Sequence, residues 1–485
     1  MSAIFPSVAS KFPRQRYFLI GIILYGVVST SCISAHRTPN LEHIFAEARA
    51  RSGKRPVIVI PGILGSELIN SKTGEKVWPS AFRTSEDGLP MSPNLEANRD
   101  DLVPGKIVET LKLAKLIPEV YVYRDLLEAL RHYAGYREGD WNNPGADGDR
   151  DTFYVFSYDW RLDNVSNARE LTRRIERLKD TLQRPDLKFN IIAHSMGGLI
   201  ARYAAMYGNQ ELPAADVTIQ PSWIGAQHIS KIVMIGVPNE GSADAFSTLI
   251  DGYSITEGLR RRVPLLNKLT AEDAIRSPAV FQLMPHSSVV RFLDENLKPI
   301  SVDLYDPAVW KKYSWSPIYA PDFRRRYANH KTNDSDDDLD DYLAAILKRT
   351  RRFHQALDAG TSSNQPVSLL AIGGDCEETL NSPVLYRDQK HDRWVTLLRP
   401  YEFRNSAGVK VTKNQLTEAM YAPGDGRVTR KSLLGESVLV MDGQETIVHL
   451  PLANAVFGCD LHGQLQRNKS LQDNALTALV GEVLR

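Results

Sequence analysis

Three residues in this sequence suit one another chemically: a serine on an apolar-to-glycine junction, an aspartate between glycines, and a histidine followed by glycine. The serine is Ser195, in Ile191-Ile192-Ala193-His194-Ser195-Met196-Gly197-Gly198. An apolar run leads into it, and Leu199 to Met206 follows with helical character. The order reads as strand, sharp turn and helix, with the serine at the tip. This is the layout of a nucleophile elbow, G-x-S-x-G, whose flanking residues must be small because strand and helix approach closely around a strained serine. Ala193 stands in the place of the first glycine and Gly197 in that of the last.

A serine hydroxyl is a weak nucleophile near neutral pH and needs a base within hydrogen-bond reach, which in turn needs an orienting carboxylate. On an elbow fold the order along the chain is Ser, acid, His. Asp425, in the Gly424-Asp425-Gly426 turn, is the preferred acid, because the turn frees its carboxylate to reach inward; Asp375, also at a strand end, is the runner-up. His462, in a loop ahead of the last helix, is the preferred base. His449 reads as lying inside a strand, and His194, beside the nucleophile, as packing or support for the elbow. The glycine-rich turn Pro61-Gly62-Ile63-Leu64-Gly65-Ser66 follows an apolar strand and can aim a backbone N–H into open space. That of Ile63, or of a neighbour, is expected to pair with that of Met196 as an oxyanion hole. The chemistry is attack on an ester carbonyl to give an acyl-serine, released to water or to an alcohol. It calls for neither a metal nor an organic cofactor.

These residues need a rigid frame. Pro56 to Ile60, Thr152 to Tyr158, Phe189 to His194, Ile232 to Ile235 and Val367 to Ile372 read as strands. Between the second and third, Ala168, Leu171, Ile175, Leu178 and Leu182 recur at helical spacing, with Asn167 and Glu170 placed as a cap and its partner. Strands alternating with helices predict an α/β fold with a mostly parallel central sheet covered on both faces. The rhythm breaks over residues 243–365, read as an inserted cap, with a helix from Ala344 to Leu357 and a solvated acidic run from Asp334 to Asp341. The expected organisation is a signal segment 1–32, a linker 33–55, a first core part 56–242, the cap 243–365 and a second core part 366–485. Within the first core part, about 67–150 is less regular and reads as a flap. Its Trp78 either meets lipid or packs in the core. Asp442-Gly443, flanked by Ser437–Met441 and Glu445–Leu450, signals a hairpin.

Across 485 residues, 42% hydrophobic and 24% charged content belong to an ordinary globular chain, and a net charge of +1 gives no reason to expect nucleic acid as a partner. At the start, Lys11, Arg14 and Arg16 precede the apolar run Tyr17–Val28, which falls short of the ~20 residues of a membrane span. Ser29-Thr30-Ser31 and Cys32 follow. A basic flank, short apolar core and small residues make an export signal. The cysteine makes it resemble a bacterial lipoprotein signal, lipidated at Cys32. Cleavage near Ala35, giving a periplasmic or secreted protein, is the next reading, and an uncleaved anchor the third. Export permits a disulfide between Cys376 and Cys459; two buried thiols are the alternative.

Several stretches together resemble the lecithin:cholesterol acyltransferase family, which includes lysosomal phospholipases and phospholipid:diacylglycerol acyltransferases. They are Val59 to Ser66, Tyr158-Asp159-Trp160-Arg161-Leu162, Ala193 to Gly198, Gly236-Val237-Pro238-Asn239-Glu240-Gly241-Ser242, Phe281-Gln282-Leu283-Met284-Pro285, Gly424 to Val428 and the region of His462. The resemblance implies an α/β-hydrolase with a cap and a membrane-facing flap, acting on acyl lipids at a lipid surface. It carries the triad onto Ser195, Asp425 and His462, and the oxyanion donors onto Ile63 and Met196. Two departures concern the substrate. Pro-Asn-Glu-Gly at 238–241 stands where the family usually has a bulkier aromatic nearby, and the cysteines do not follow the plasma enzyme's disulfide pattern. Two other readings compete: a soluble carboxylesterase or thioesterase on smaller substrates, and a non-catalytic lipid-binding surface lipoprotein.

Overall fold

The computed structural model describes residues 38–80, 89–93, 95, 100–111, 120–214, 217–254, 268–286, 291–329, 337–359, 365–441 and 444–481. The signal segment with Cys32, and parts of the expected flap and insertion, lie outside these residues. The chain divides into Met1–Asn40 and Leu41–Arg485, and the fold below is that of the second unit.

A seven-stranded sheet forms the centre. In chain order its strands are β1 (Val57–Ile60), β2 (Arg137–Glu138), β3 (Thr152–Val155), β4 (Phe189–His194), β5 (Ile229–Ile235), β6 (Ser368–Gly374) and β7 (Leu452–Gly458). Across the sheet they run β7-β6-β5-β4-β1-β3-β2, and every ladder is parallel. Parallel strands covered by helices on both faces are apolar throughout, and β1 and β4 are buried at every position. Side chains alternate between two cores. Ile58, Ile60, Ile191, Ala193, Ile232 and Met234 enter the larger one, and Val57, Val59, Ile192, Val233 and Ile235 the other.

The helices fit that division. The smaller core is closed by α1 (Arg124–His132) through Leu126, Leu127 and Leu130, and by the C-terminal helix Lys469–Val480 through Leu471, Ala475, Leu476 and Leu479. Leu41 and Phe45, from the expected linker, are buried in it too. The larger core takes α2 (Asn164–Thr181) and α3 (Met196–Tyr207). The apolar face of α2 is the one expected, but its cap is not Asn167. Asp163 caps the helix by accepting from the N–H groups of Val165 and Ser166. Asn167 sits inside the first turns and donates from Nδ2 to the carbonyl of Asp159 at 3.0 Å.

Between β5 and β6 the chain leaves the sheet. This stretch includes α4 (Ala243–Asp251), α5 (Asp337–Asp358) and several short elements. Phe246, Phe281, Phe292, Trp310 and Trp315 are buried there and pack edge-on, stacked or, for Phe281 on Trp310, tilted. The hairpin of Ser437–Met441 with Gln444–Val448 forms where expected. Among the described residues no helix is long and apolar enough to cross a membrane.

Candidate active site

Ser195 sits between β4 and α3 with φ 53° and ψ −128°, a conformation costly for any side chain but glycine. Its neighbours must therefore be small. A Cβ on Gly197 would lie 2.5 Å from the Pro61 carbonyl oxygen, and one on Gly198 would lie 2.2 Å from Val237. A Cβ on Gly62 would lie 2.7 Å from that of Ser195 itself. Hydrogen bonding from the Ser195 N–H to the Ile235 carbonyl, at 2.8 Å, ties the turn to β5.

The structure brings Ser195, Asp425 and His462 together. Nε2 of His462 is 2.9 Å from Oγ of Ser195, and Nδ1 is 2.8 Å from Oδ2 of Asp425. A carboxylate only accepts, so the imidazole proton sits on Nδ1 and leaves Nε2 open to take the serine proton. Asp425 is 1% exposed. Its other oxygen accepts from the N–H groups of Arg427 at 3.0 Å and Val428 at 2.8 Å, which fixes the direction of the carboxylate. The His462 N–H donates back to the Asp425 carbonyl at 2.8 Å. Gly236, at φ 57°, passes beneath the ring; a Cβ there would lie 3.0 Å from it.

The rejected candidates stand elsewhere. Asp375 pairs at 3.7 Å with Arg430 at the surface, so it is not the acid of this constellation. His449 follows the hairpin strand Gln444–Val448. The cysteines pair as Cys376–Cys459, immediately after the adjoining ends of β6 and β7. The disulfide thus anchors the loop that carries His462.

Met196 is the first residue of α3, where the N–H has no partner inside the helix. Ile63 lies in the turn after β1. There the Gly62 N–H is taken by Oη of Tyr123 at 2.7 Å. The Tyr-Asp-Trp-Arg piece holds this turn from behind. Oη of Tyr158 donates to the Pro61 carbonyl at 2.8 Å, its N–H to Oγ of Ser66 at 3.1 Å, and Nε1 of Trp160 to the Ser66 carbonyl at 3.2 Å. Arg161 is fully buried and bridges Asp159 and Asp100, with contacts of 2.7 Å to each.

Tyr123 and His194 form a second line of contacts that the spacing of residues did not signal. Nε2 of His194 is 3.1 Å from the His462 carbonyl, and Nδ1 is 2.8 Å from Oη of Tyr123. A carbonyl only accepts, so His194 carries its proton on Nε2 and Nδ1 accepts from the phenol. Burial, with His462 adding to it, pushes the His194 pKa down to about 3, and burial drives that of Tyr123 up. Both groups therefore stay neutral, and the line runs unbroken from Gly62 through Tyr123 and His194 to the backbone of His462.

Trp78 is buried, not lipid-facing. Its Nε1 donates to the Leu64 carbonyl at 3.0 Å and its ring packs edge-on against Trp160. Other parts of the expected flap, 81–88, 94, 96–99 and 112–119, lie outside the described residues.

A parallel sheet covered on both faces, with a serine at a strained strand-to-helix turn, defines an α/β-hydrolase. A sequence profile of the lecithin:cholesterol acyltransferase family matches residues 106–365, more than half of the chain. The chain belongs to that family, and so among the enzymes that hydrolyse or transfer lipid acyl groups. The matched span includes Ser195 and Met196 and ends before Asp425 and His462. No curated protein matches it in sequence. Among solved structures, a chain of the Tle4–Tli4 complex is 14% identical, with 88% of this chain on 98% of that one at a TM-score of 0.52. The Bacillus licheniformis lipase BlEst2 in its mature form is 11% identical, with 88% on 92% at 0.33. The Staphylococcus hyicus lipase is 14% identical, with 92% on 95% at 0.31. The likeness to the first is one of fold.

Proposed function

We propose that this protein is a serine-dependent acyl hydrolase or O-acyltransferase that works on phospholipid or other acyl-lipid esters through an acyl-Ser195 intermediate. The observation that carries the reading is the contact between Ser195 Oγ and His462 Nε2 at 2.9 Å, with Asp425 at 2.8 Å behind the ring. His462 takes the proton of Ser195 as the oxygen attacks the ester carbonyl. The N–H groups of Ile63 and Met196 hold the oxyanion; one such donor is worth about 3 kcal/mol at the transition state. Asp425 keeps the imidazole in the right tautomer and stabilises its cation. The protonated ring then gives its proton to the leaving alcohol. Water or an acceptor alcohol, deprotonated by His462, releases the acyl group.

The stretch between β5 and β6 acts in this reading as a cap over the site, and the part of residues 67–150 that lies outside helix α1 and sheet strand β2 as the flap toward a lipid surface. Export is part of the same proposal: the N-terminal signal directs the chain out of the cytoplasm, anchored through a lipidated Cys32 or released into the periplasm or medium. The Cys376–Cys459 disulfide supports it, because such bonds persist in oxidising compartments. Incubation of the pure protein with mixed phospholipid vesicles, with and without a sterol or glyceride acceptor, tests the substrate class. Released fatty acid or a new acyl ester is expected; cleavage of short soluble esters alone, with vesicles untouched, contradicts the lipid assignment.

A further inference from the structure

Glu240 lies in the turn after β5, within the Pro-Asn-Glu-Gly stretch at 238–241, and the structure gives it unusual company. Its Oε2 lies 3.5 Å from Nε2 of His286, and the same nitrogen lies 3.2 Å from Oδ1 of Asp358. One ligand atom from each residue falls within 4.8 Å of the others. Glu240 is 5% exposed and the His286 side chain 3%, whereas that of Asp358, at the end of α5, is 46% exposed and open to solvent. The His354 ring stacks on His286 with centroids 4.0 Å apart. It is held by Oη of Tyr305 at 2.6 Å and by the Gln282 carbonyl at 2.9 Å. Arg202 is buried nearby, with its terminal nitrogens donating to Asn239 Oδ1 and the Leu357 carbonyl.

We propose that Glu240, His286 and Asp358 bind a divalent transition-metal ion of the Zn²⁺ type, which joins the turn after β5 to two points of the inserted stretch. Ligand atoms about 2.0–2.1 Å from a tetrahedral Zn²⁺ stand roughly 3.3 Å from one another, and the separations of His286 Nε2 from Asp358 and Glu240, 3.2 and 3.5 Å, match such edges. An imidazole with two carboxylates is a borderline set, suited to Zn²⁺ and not to Ca²⁺ or Mg²⁺, which favour oxygen alone. The exposed side of Asp358 is the entry path and leaves a fourth position for water. The stacked His354, itself held by Tyr305 and the Gln282 carbonyl, packs the ring of His286 in place. The ion pairs of His286 run to Glu240 and Asp358, away from the triad, so the ion is structural: it ties residues 240, 286 and 358 to one point and holds the inserted stretch against the core. The proposal does not depend on the ester chemistry.

The test uses the untagged full chain, stripped with a chelator and dialysed. Calorimetric titration with ZnCl₂ is expected to show one tight site, and CoCl₂ to give the visible d–d bands of a tetrahedral ion. Glu240→Gln and His286→Gln are expected to weaken binding at least ~100-fold, beyond the ~10–100-fold typical of outer-shell losses. They are also expected to abolish the rise in unfolding temperature that Zn²⁺ gives the parent chain, a mass-action effect of binding to the folded state. Should either buried variant fail to fold, Asp358→Asn, at an exposed helix end, answers the same question. Absence of a stoichiometric site in the parent chain, or equal binding by parent and Asp358→Asn, overturns the proposal.

Discussion

The phenol oxygen of Tyr123 stands 2.8 Å from Nδ1 of His194 while accepting the Gly62 N–H at 2.7 Å. One hydroxyl thus links the turn of Gly62 and Ile63 to the end of β4 beside Ser195, and His194 extends the link to the backbone of His462. Tyr123→Phe leaves a buried N–H and a buried imidazole nitrogen without this partner, at a cost of about 1–3 kcal/mol each. A fall in kcat of roughly tenfold or more, with KM little changed, is expected alongside lower stability. An unchanged kcat in a stably folded variant would show that the link does not position the site.

Acid sensitivity should trace in part to His194. Its pKa is about 3 in the fold against roughly 6.5 in an unfolded chain. Between these values the unfolded state binds the extra proton, so stability falls as pH drops from about 6.5 toward about 3, by up to ~1.4 kcal/mol per pH unit. His194→Gln removes this contribution. Urea unfolding at pH about 7 and about 5 should show a smaller loss for the variant than for the parent; equal losses would place the sensitivity in other buried histidines.

Gly62→Ala places a methyl 2.7 Å from the Ser195 Cβ and 3.1 Å from Nδ1 of His194. Overpacking of this kind costs about 1–3 kcal/mol, and here it displaces the nucleophile. The chain should remain folded by circular dichroism while ester turnover falls at least ~100-fold, the typical consequence of about 1 Å of misplacement. Turnover near that of the parent would mean that the turn yields without disturbing Ser195.

Loss of the Cys376–Cys459 bond, in Cys376→Ser with Cys459→Ser, frees a loop spanning 83 positions. The chain-entropy relation puts this at roughly 4–5 kcal/mol. The lost constraint adjoins the His462 loop, so turnover should decline before global unfolding. Parallel denaturation and activity curves with and without reductant check this; coincident curves would limit the bond to global stability.

Much of this was legible in residues, and what was not has physical causes. The elbow was readable because tight packing demands glycines at fixed offsets. Strands β1 and β4 were readable because burial on both faces demands unbroken apolar runs. Asp425 was preferred to Asp375 because a glycine-flanked turn lets a carboxylate reach inward, and its carboxylate lies 2.8 Å from Nδ1 of His462. Strand β7 was missed: as an edge strand it is half-exposed, and Asn454 interrupts its apolar pattern. Tyr123 was missed because it lies 61 and 71 positions from its partners, and nothing in its local spacing points to them. The acidic Asp163 cap was mistaken for Asn167, since α2 begins ahead of its apolar face. Pairing of the cysteines needed coordinates.

The two acid candidates can be told apart by kinetics. Asp425→Asn should lower kcat by about 10⁴, since an amide favours the wrong imidazole tautomer, while Asp375→Asn, at the surface beside Arg430, should leave it near the parent value. The reverse pattern would reassign the acid.

The most direct measurement is covalent. Treatment of the folded chain with a fluorophosphonate, followed by peptide mass spectrometry, should find one adduct, on the peptide bearing Ser195. Ser195→Ala should abolish it, and His462→Ala should slow it by several orders of magnitude, as loss of a triad member slows turnover by up to ~10⁶. An unlabelled parent chain, or an adduct that survives Ser195→Ala, would contradict the assignment of Ser195 as the nucleophile.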